Sequence, residues 1–188
     1  MLSASPGSVK LVGSHRYGQC KLPMDENDDC ISQRFVQVSC GWYNTVVLTS
    51  HGRAYVCGGN QWGQCELPIG KPYMQVSAGG KHTVGLHPTG AVSACGDNHH
   101  GQCDIPELDS GIWYTQVSAG VRHTILLRSD GTAVACGRLF GQCPIPVLPE
   151  GTRYTQVCAG PTGDQTALLR SDGKGMTLAR SNAWDIAV

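Results

Sequence analysis

Phenylalanine occurs only twice in this chain of 188 residues, against 25 glycines. That balance points away from long helices and towards many tight turns between short strands. A surplus of charge is also missing: Lys and Arg number 14, and so do Asp and Glu. The longest block of one sign is the short acidic stretch Asp25, Glu26, Asp28, Asp29. Nucleic-acid and anionic-membrane binders draw their affinity from clustered Lys and Arg, so neither class fits. No run approaches the roughly 20 apolar residues that cross a bilayer, so no membrane insertion is expected. Met1 to Lys10 has neither a basic nor an apolar signal region, so no secretory leader is expected there. Catalytic signatures are lacking too, with no Gly-x-Ser-x-Gly elbow, no phosphate-binding Gly-x-x-x-x-Gly-Lys and no His-Glu-x-x-His. The chain therefore reads as non-enzymatic and without a cofactor.

What the sequence does hold is a repeat. Gly-Gln-Cys recurs at Gly18–Cys20, Gly63–Cys65, Gly101–Cys103 and Gly141–Cys143. Gln-Val followed by Ser or Cys recurs at Gln37, Gln75, Gln116 and Gln156, so two separate markers keep a common step of roughly 40 residues. Within the third unit, Gln116 to Ser118, Thr124 to Arg128 and Thr132 to Cys136 are apolar or β-branched and are bounded by Gly, Pro or Asp-Gly. They predict three short strands. Ser50-His51-Gly52, Pro88-Thr89-Gly90, Ser129-Asp130-Gly131 and Ser171-Asp172-Gly173 supply the hairpin turns, with glycine providing the positive φ. Each unit is thus a small antiparallel sheet that cannot bury its faces alone and must stack on its neighbours. The expected fold class is all-β, a propeller-type array of about four blades, closed or open. It forms one domain over residues 1–188, with units near 1–34, 35–72, 73–113, 114–153 and 154–188.

Val76-Ser-Ala-Gly79-Gly-Lys-His82-Thr-Val-Gly-Leu86 and Val117-Ser-Ala-Gly120-Val-Arg-His123-Thr-Ile-Leu-Leu127 resemble the signature of the regulator of chromosome condensation repeat. The stretch from Cys95-Gly96-Asp97-Asn98 to Gly101-Gln102 is similar to its second half. The Ser-Asp-Gly-Thr-Ala-Val and Gly-Gln-x-x-Ile-Pro phrasing resembles the compact form of the family, that of β-lactamase inhibitor protein II. The resemblance runs from about Val9 to about Trp184 and implies a β-propeller, seven-bladed in well-known members. Asn44 stands in the first copy where the signature has His, and the fourth copy is longer at Ala159 to Gln165. Four units leave open a closed ring, an arc completed by a second copy or another protein, or part of a longer array. An arc exposes strand edges, which favours association.

Positions shared by all copies serve the fold, and positions that vary are available to a partner. The pair before each Gly-Gln-Cys varies most: Arg16-Tyr17, Gln61-Trp62, His99-His100 and Leu139-Phe140. In the compact family the corresponding loop residues form the partner-binding face, and aromatic side chains are good anchors there. A second variable set, Trp42-Tyr43, Gly80-Lys81 and Val121-Arg122, is expected at the opposite mouth of the ring. The candidate partner-binding residues are Tyr17, Trp62, His99, His100, Phe140, Trp42, Tyr43 and Arg122. The alternative for Tyr17, Trp62 and Phe140 is packing between blades.

His82 and His123 recur at one place in the repeat and are expected to bond the backbone of their own or the next blade. The cysteines recur as Cys57 with Cys65, Cys95 with Cys103 and Cys136 with Cys143. Buried thiols, a disulfide within each unit and metal ligation are the readings open to them, thiols first. Cys95, His99, His100 and Cys103 have zinc-like spacing, but both cysteines recur in copies without the histidines, so no metal site is expected. Thiols suit the cytoplasm or nucleus. The resemblance also admits a structural subunit of a larger assembly, possible self-association, or the regulatory part of a guanine-nucleotide exchange factor or ubiquitin ligase. Inhibition of a β-lactamase is a weaker option.

Overall fold

A computed structural model describes residues 16–19, 34–138, 145–160 and 165–178, together with the backbone of a last strand at 183–186. Four antiparallel sheets follow one another among these residues. The first holds β1 (Phe35–Cys40), β2 (Asn44–Thr49) and β3 (Ala54–Gly58), and the second β4 (Gln75–Ala78), β5 (His82–Leu86) and β6 (Val92–Gly96). The third holds β7 (Tyr114–Ala119), β8 (His123–Arg128) and β9 (Ala133–Gly137). The fourth adds a strand to the pattern: β10 (Tyr154–Ala159), β11 (Thr166–Arg170), β12 (Gly175–Leu178) and β13 (Ala183–Ile186). Three strands per unit is what the sequence predicts; β13, pairing with β12, is a finding of the structure. At each hairpin the final glycine takes the positive φ the turn requires, 81° at Gly52 and 83° at Gly131.

The sheets stack in chain order, and each junction has its own apolar core. Val46 and Leu48 of the first sheet pack with Tyr73, Val76 and Ala78 of the second. Val84 and Leu86 of the second pack with Tyr114, Val117 and Ala119 of the third, and Ile125 and Leu127 of the third with Tyr154, Val157 and Ala159 of the fourth. Strand alternation explains the division of labour. In β7, Val117 and Ala119 face the preceding sheet, while Gln116 and Ser118 face the following one.

Those polar side chains build a ladder between sheets. Gln37 Oε1 accepts the Val76 N–H at 2.9 Å, Gln75 Oε1 the Val117 N–H at 3.0 Å and Gln116 Oε1 the Val157 N–H at 2.9 Å. Two residues along, the hydroxyls of Ser39, Ser77 and Ser118 accept the N–H groups of Ala78, Ala119 and Ala159. Backbone donors that the innermost strand would leave unpaired are thus satisfied by the neighbouring unit.

A second recurring link runs through the middle strands. Thr124 Oγ1 donates to the Gln102 carbonyl at 2.7 Å, so its proton is committed and His82 Nε2, 2.9 Å away, must be the donor to it. Thr83 Oγ1 likewise donates to the Gln64 carbonyl and receives the Asn44 amide at 2.6 Å. Asn44 therefore replaces histidine by supplying the same donor. His82 does reach the next sheet, as its recurrence suggests, but it bonds a threonine hydroxyl and not the backbone. The hydroxyl has spare acceptor capacity where the strand carbonyls are already engaged. A Cβ at Gly79 would overlap the His82 ring, which accounts for the glycine before each of these histidines.

The four inner strands line an open concavity of about 800 Å³ whose walls include Val36, Met74, Thr115 and Thr155 with Gln37, Gln75, Gln116 and Gln156. The described sheets form an open arc: β1 packs on β4, β4 on β7 and β7 on β10, while the outer faces of β1 and β10 stay exposed.

Burial, reinforced by the charge of His123, pushes His82 down to about 4. Its pKa is thus below that of the unfolded chain, where an ordinary histidine titrates near ~6.5. Stability should be fully present above about pH 6.5 and fall by on the order of 3 kcal/mol as pH drops towards 4, because the unfolded chain binds the proton first. Urea unfolding at a series of pH values checks this. His82→Asn, which keeps the donor and removes the titration, should flatten the acid limb.

Candidate protein-binding rim

The loop after each third strand is fixed from within. After the third strand of the first sheet, the Gly63 N–H donates to the Asn60 carbonyl, the Trp62 N–H to Gln64 Oε1 at 3.1 Å, and the Cys65 N–H to Asn60 Oδ1 at 2.9 Å. Asn98, His100, Gln102 and Cys103 repeat the arrangement one unit on. Gln64 and Gln102 are fully buried, and the glycine between them and the variable residue has a φ of 77° in both units. The shared residues hold the backbone, and the two variable residues before the glycine lie over it, the first exposed and the second half-buried at Gln61-Trp62 and His99-His100.

Four aromatic rings meet on this frame. Tyr17 lies edge-on to Tyr43 with centroids 5.0 Å apart, Trp42 meets Tyr43 at 6.4 Å, and Tyr43 meets Trp62 at 5.7 Å. The Lys81 ammonium stands 3.9 Å over the Trp62 ring, within range of a cation–π attraction. Tyr17 and Trp42 remain 37% and 45% exposed, and Tyr43 and Trp62 are half-buried. The two variable sets therefore share one rim, contrary to the expectation that the second lies at the opposite mouth. Curvature between neighbouring sheets brings the loop of one unit over the first turn of the next. Tyr17, Trp62 and their neighbours are not swallowed between blades.

The strip continues beyond the rings. Asp97, whose carboxylate also feels the Lys81 charge, contacts the exposed His99 ring. Partial burial opposes ionisation, yet the hydrogen bonds and charge of His99 outweigh it and hold Asp97 below its ordinary range. His100 is half-buried beside it. Arg122 occupies the place of Tyr43 and Lys81 in the third unit and is half-buried, with no ring contact to the strip among the described residues. Phe140 lies outside the described residues. Lys81 was one of the variable positions, but its place over Trp62 becomes visible only when the loops meet; the signal was its alignment with Tyr43.

The cysteines support this frame. The described ones, Cys40, Cys57, Cys65, Cys95, Cys103, Cys136 and Cys158, are present as thiols. Cys57, Cys95 and Cys136 donate to the carbonyls of Gln19, Gln64 and Gln102, fastening each loop to the third strand of the next sheet. Cys103 turns to the Asp97 carbonyl. The zinc-like cluster of Cys95, His99, His100 and Cys103 is thus divided among separate hydrogen bonds.

Three stretches, residues 35–64, 75–102 and 114–138, match the family model of the regulator of chromosome condensation (RCC1) repeat. The sheets and loops define a propeller-type repeat protein. Three of the four units built above are thus similar to the repeat of the regulator of chromosome condensation family. No curated protein matches the sequence. Among solved structures, human WBSCR16 is 19% identical and superposes with a TM-score of 0.72 over 94% of this chain and 61% of its own. Prp20p from Saccharomyces cerevisiae gives 17%, 0.64, 83% and 46% in the same order. The ectodomain of the Physcomitrella patens receptor kinase CR4 gives 19%, 0.66, 89% and 45%. The chain thus spans less than two thirds of each, and likeness at this identity establishes the fold. The narrower resemblance to β-lactamase inhibitor protein II gains nothing from these matches.

Burial raises Cys95 and Cys103 to about 12 and Cys136 to about 11. Reactivity belongs to the thiolate, so these three should resist alkylation in the folded chain at pH 8. Exposed Cys40 and Cys158 should label first, and peptide mapping before and after denaturation checks the order.

Proposed function

We propose that this chain is a non-enzymatic protein-interaction module that grips a protein partner through the rim strip. The observation that carries the reading is the meeting of four aromatic rings from three separate loops, two of them more than one third exposed, on a backbone fixed by buried glutamines. Rings held in place bury large area on binding at little entropic cost, and a lysine on one ring with a histidine–aspartate pair beside it gives a polar border. Tyr17, Trp42, Tyr43 and Trp62 are the anchors, and His99, His100 and Arg122 flank them; Phe140, outside the described residues, joins the proposed set only by its place in the sequence repeat.

Two similar structures support a protein as the partner class. Yeast RCC1 (Prp20) was solved bound to Kap60, and Prp20p is described together with its binding of Gsp1p and histones. No helix among the described residues is long and apolar enough to cross a membrane. The seven described thiols support a reducing compartment, the cytoplasm or nucleus, as the proposed location.

Affinity capture from the native source, followed by titration of the captured protein, tests the reading. Tyr43→Ala with Trp62→Ala should weaken binding at least tenfold, as expected when about 2 kcal/mol of hot-spot energy is lost. Arg53→Ala, away from the rim, should leave binding intact. Equal capture by the rim variant and the wild type contradicts the assignment.

A further inference from the structure

At the strand ends away from the rim, the hairpin between the second and third strands of a sheet is tied to the loop that leads into the next sheet. The N–H groups of Tyr73, Tyr114 and Tyr154 donate to the carbonyls of the hairpin glycines Gly52, Gly90 and Gly131. Their hydroxyls donate to the carbonyls of Pro68, Pro106 and Pro146 at 2.7–2.8 Å. The chain between these two pins differs in length. Seven residues separate proline from tyrosine in the second and third loops, 107–113 and 147–153, but only four do so in the first, 69–72. In the longer loops Leu108 and Leu148 pack against the apolar cores. The first loop has no counterpart of this leucine: Ile69 is 95% exposed, like its equivalent Val147 at 97%.

The space left by the missing leucine is a groove of about 630 Å³ between the first hairpin and its loop, against about 180 Å³ for the corresponding cleft beside Leu148. Its floor is apolar, with Leu67 and Tyr73 buried and Ala54 and Pro68 beside them. Its mouth is cationic. His51, Arg53 and Lys71, all exposed, line it where the third hairpin and its loop have Asp130, Thr132 and Thr152. Among the described residues no carboxylate lines this groove. The Arg53 guanidinium is steadied over the Tyr55 ring, 4.9 Å from its centroid. A missing plug and three cations thus coincide in one unit of the repeat.

We propose that this groove binds an extended acidic segment of a partner protein, with a leucine of that segment taking the place that Leu148 fills two units on. Burial of the leucine on the apolar floor supplies the affinity. The cations at the mouth attract the carboxylates on either side of it and select acidic segments over other apolar ones, an effect that salt screens. Because the loop is pinned at both ends by Tyr73, the groove is formed before the segment arrives, and little ordering opposes binding. The site is separate from the rim and does not depend on it: β2 starts at Asn44, next to Tyr43, and ends at Thr49, just before the hairpin.

Three short synthetic peptides, each with one central leucine and with Asp and Glu before it, after it or on both sides, test this when titrated against the full chain by fluorescence anisotropy. At least one should bind saturably. Replacing its leucine with serine, or its acids with Asn and Gln, should weaken it about tenfold or more. Arg53→Ala with Lys71→Ala, both at exposed positions, should weaken it by a similar factor. Grafting residues 147–152 in place of 69–71 returns a leucine to the groove and should abolish binding, with circular dichroism confirming the fold of each variant. Tyr43→Ala with Trp62→Ala should leave the peptide bound, so that failure of the groove and failure of the rim are told apart. The proposal is overturned if none of the three peptides binds, if the serine or the Asn and Gln versions bind equally well, or if either folded groove variant keeps full affinity.

Discussion

The constraint on which this structure depends is the innermost strand of each sheet, which has a partner strand on one side only. Its outward backbone N–H groups have no ladder within the unit. Glutamine and serine from the preceding sheet supply the acceptors, at 2.9–3.0 Å in each of the three junctions. Leaving such donors buried and unmet costs on the order of 1–3 kcal/mol each, so the polar ladder and the apolar core beside it have to form together. Short sheets that are individually marginal become one array by this means.

The same economy extends outward along each sheet. The middle strand is tied by a donor from histidine or asparagine to a threonine hydroxyl, and the outer part by a cysteine thiol to a glutamine carbonyl. These contacts secure the loop that bears Gly-Gln-Cys. Buried Gln64 and Gln102 then turn inward and fix the backbone beneath the exposed rings. Scaffold and candidate site are thus two consequences of one repeat, with the invariant residues pointing in and the variable ones out.

Much of this was legible in the residues. The period, the hairpin turns and the three strands follow from spacing and from glycine, because local φ requirements and period-two alternation are written in consecutive residues. The recurring glutamine and cysteine were readable as scaffold because every copy has them. Their partners lie about one repeat away, and spacing does not say which face a side chain turns to. The sharing of one rim by Tyr17, Tyr43 and Trp62 depends on the curvature between sheets, which no single unit encodes. Asn44 read as a departure from the pattern and proved equivalent to histidine, since only the donated hydrogen matters there. The added strand β13 lacks the alternating signature of its neighbours and belongs to the part of the sequence where the repeat degenerates.

Site-resolved native-state hydrogen exchange of the Val76, Val117 and Val157 amides tests the central claim most directly. If the side-chain ladder between sheets organises the array, these edge-strand amides exchange only with global unfolding, as slowly as those in the middle strands β5 and β8. Rapid exchange at the three valines while β5 and β8 stay protected would show that the sheets stand without the ladder, and would contradict the account.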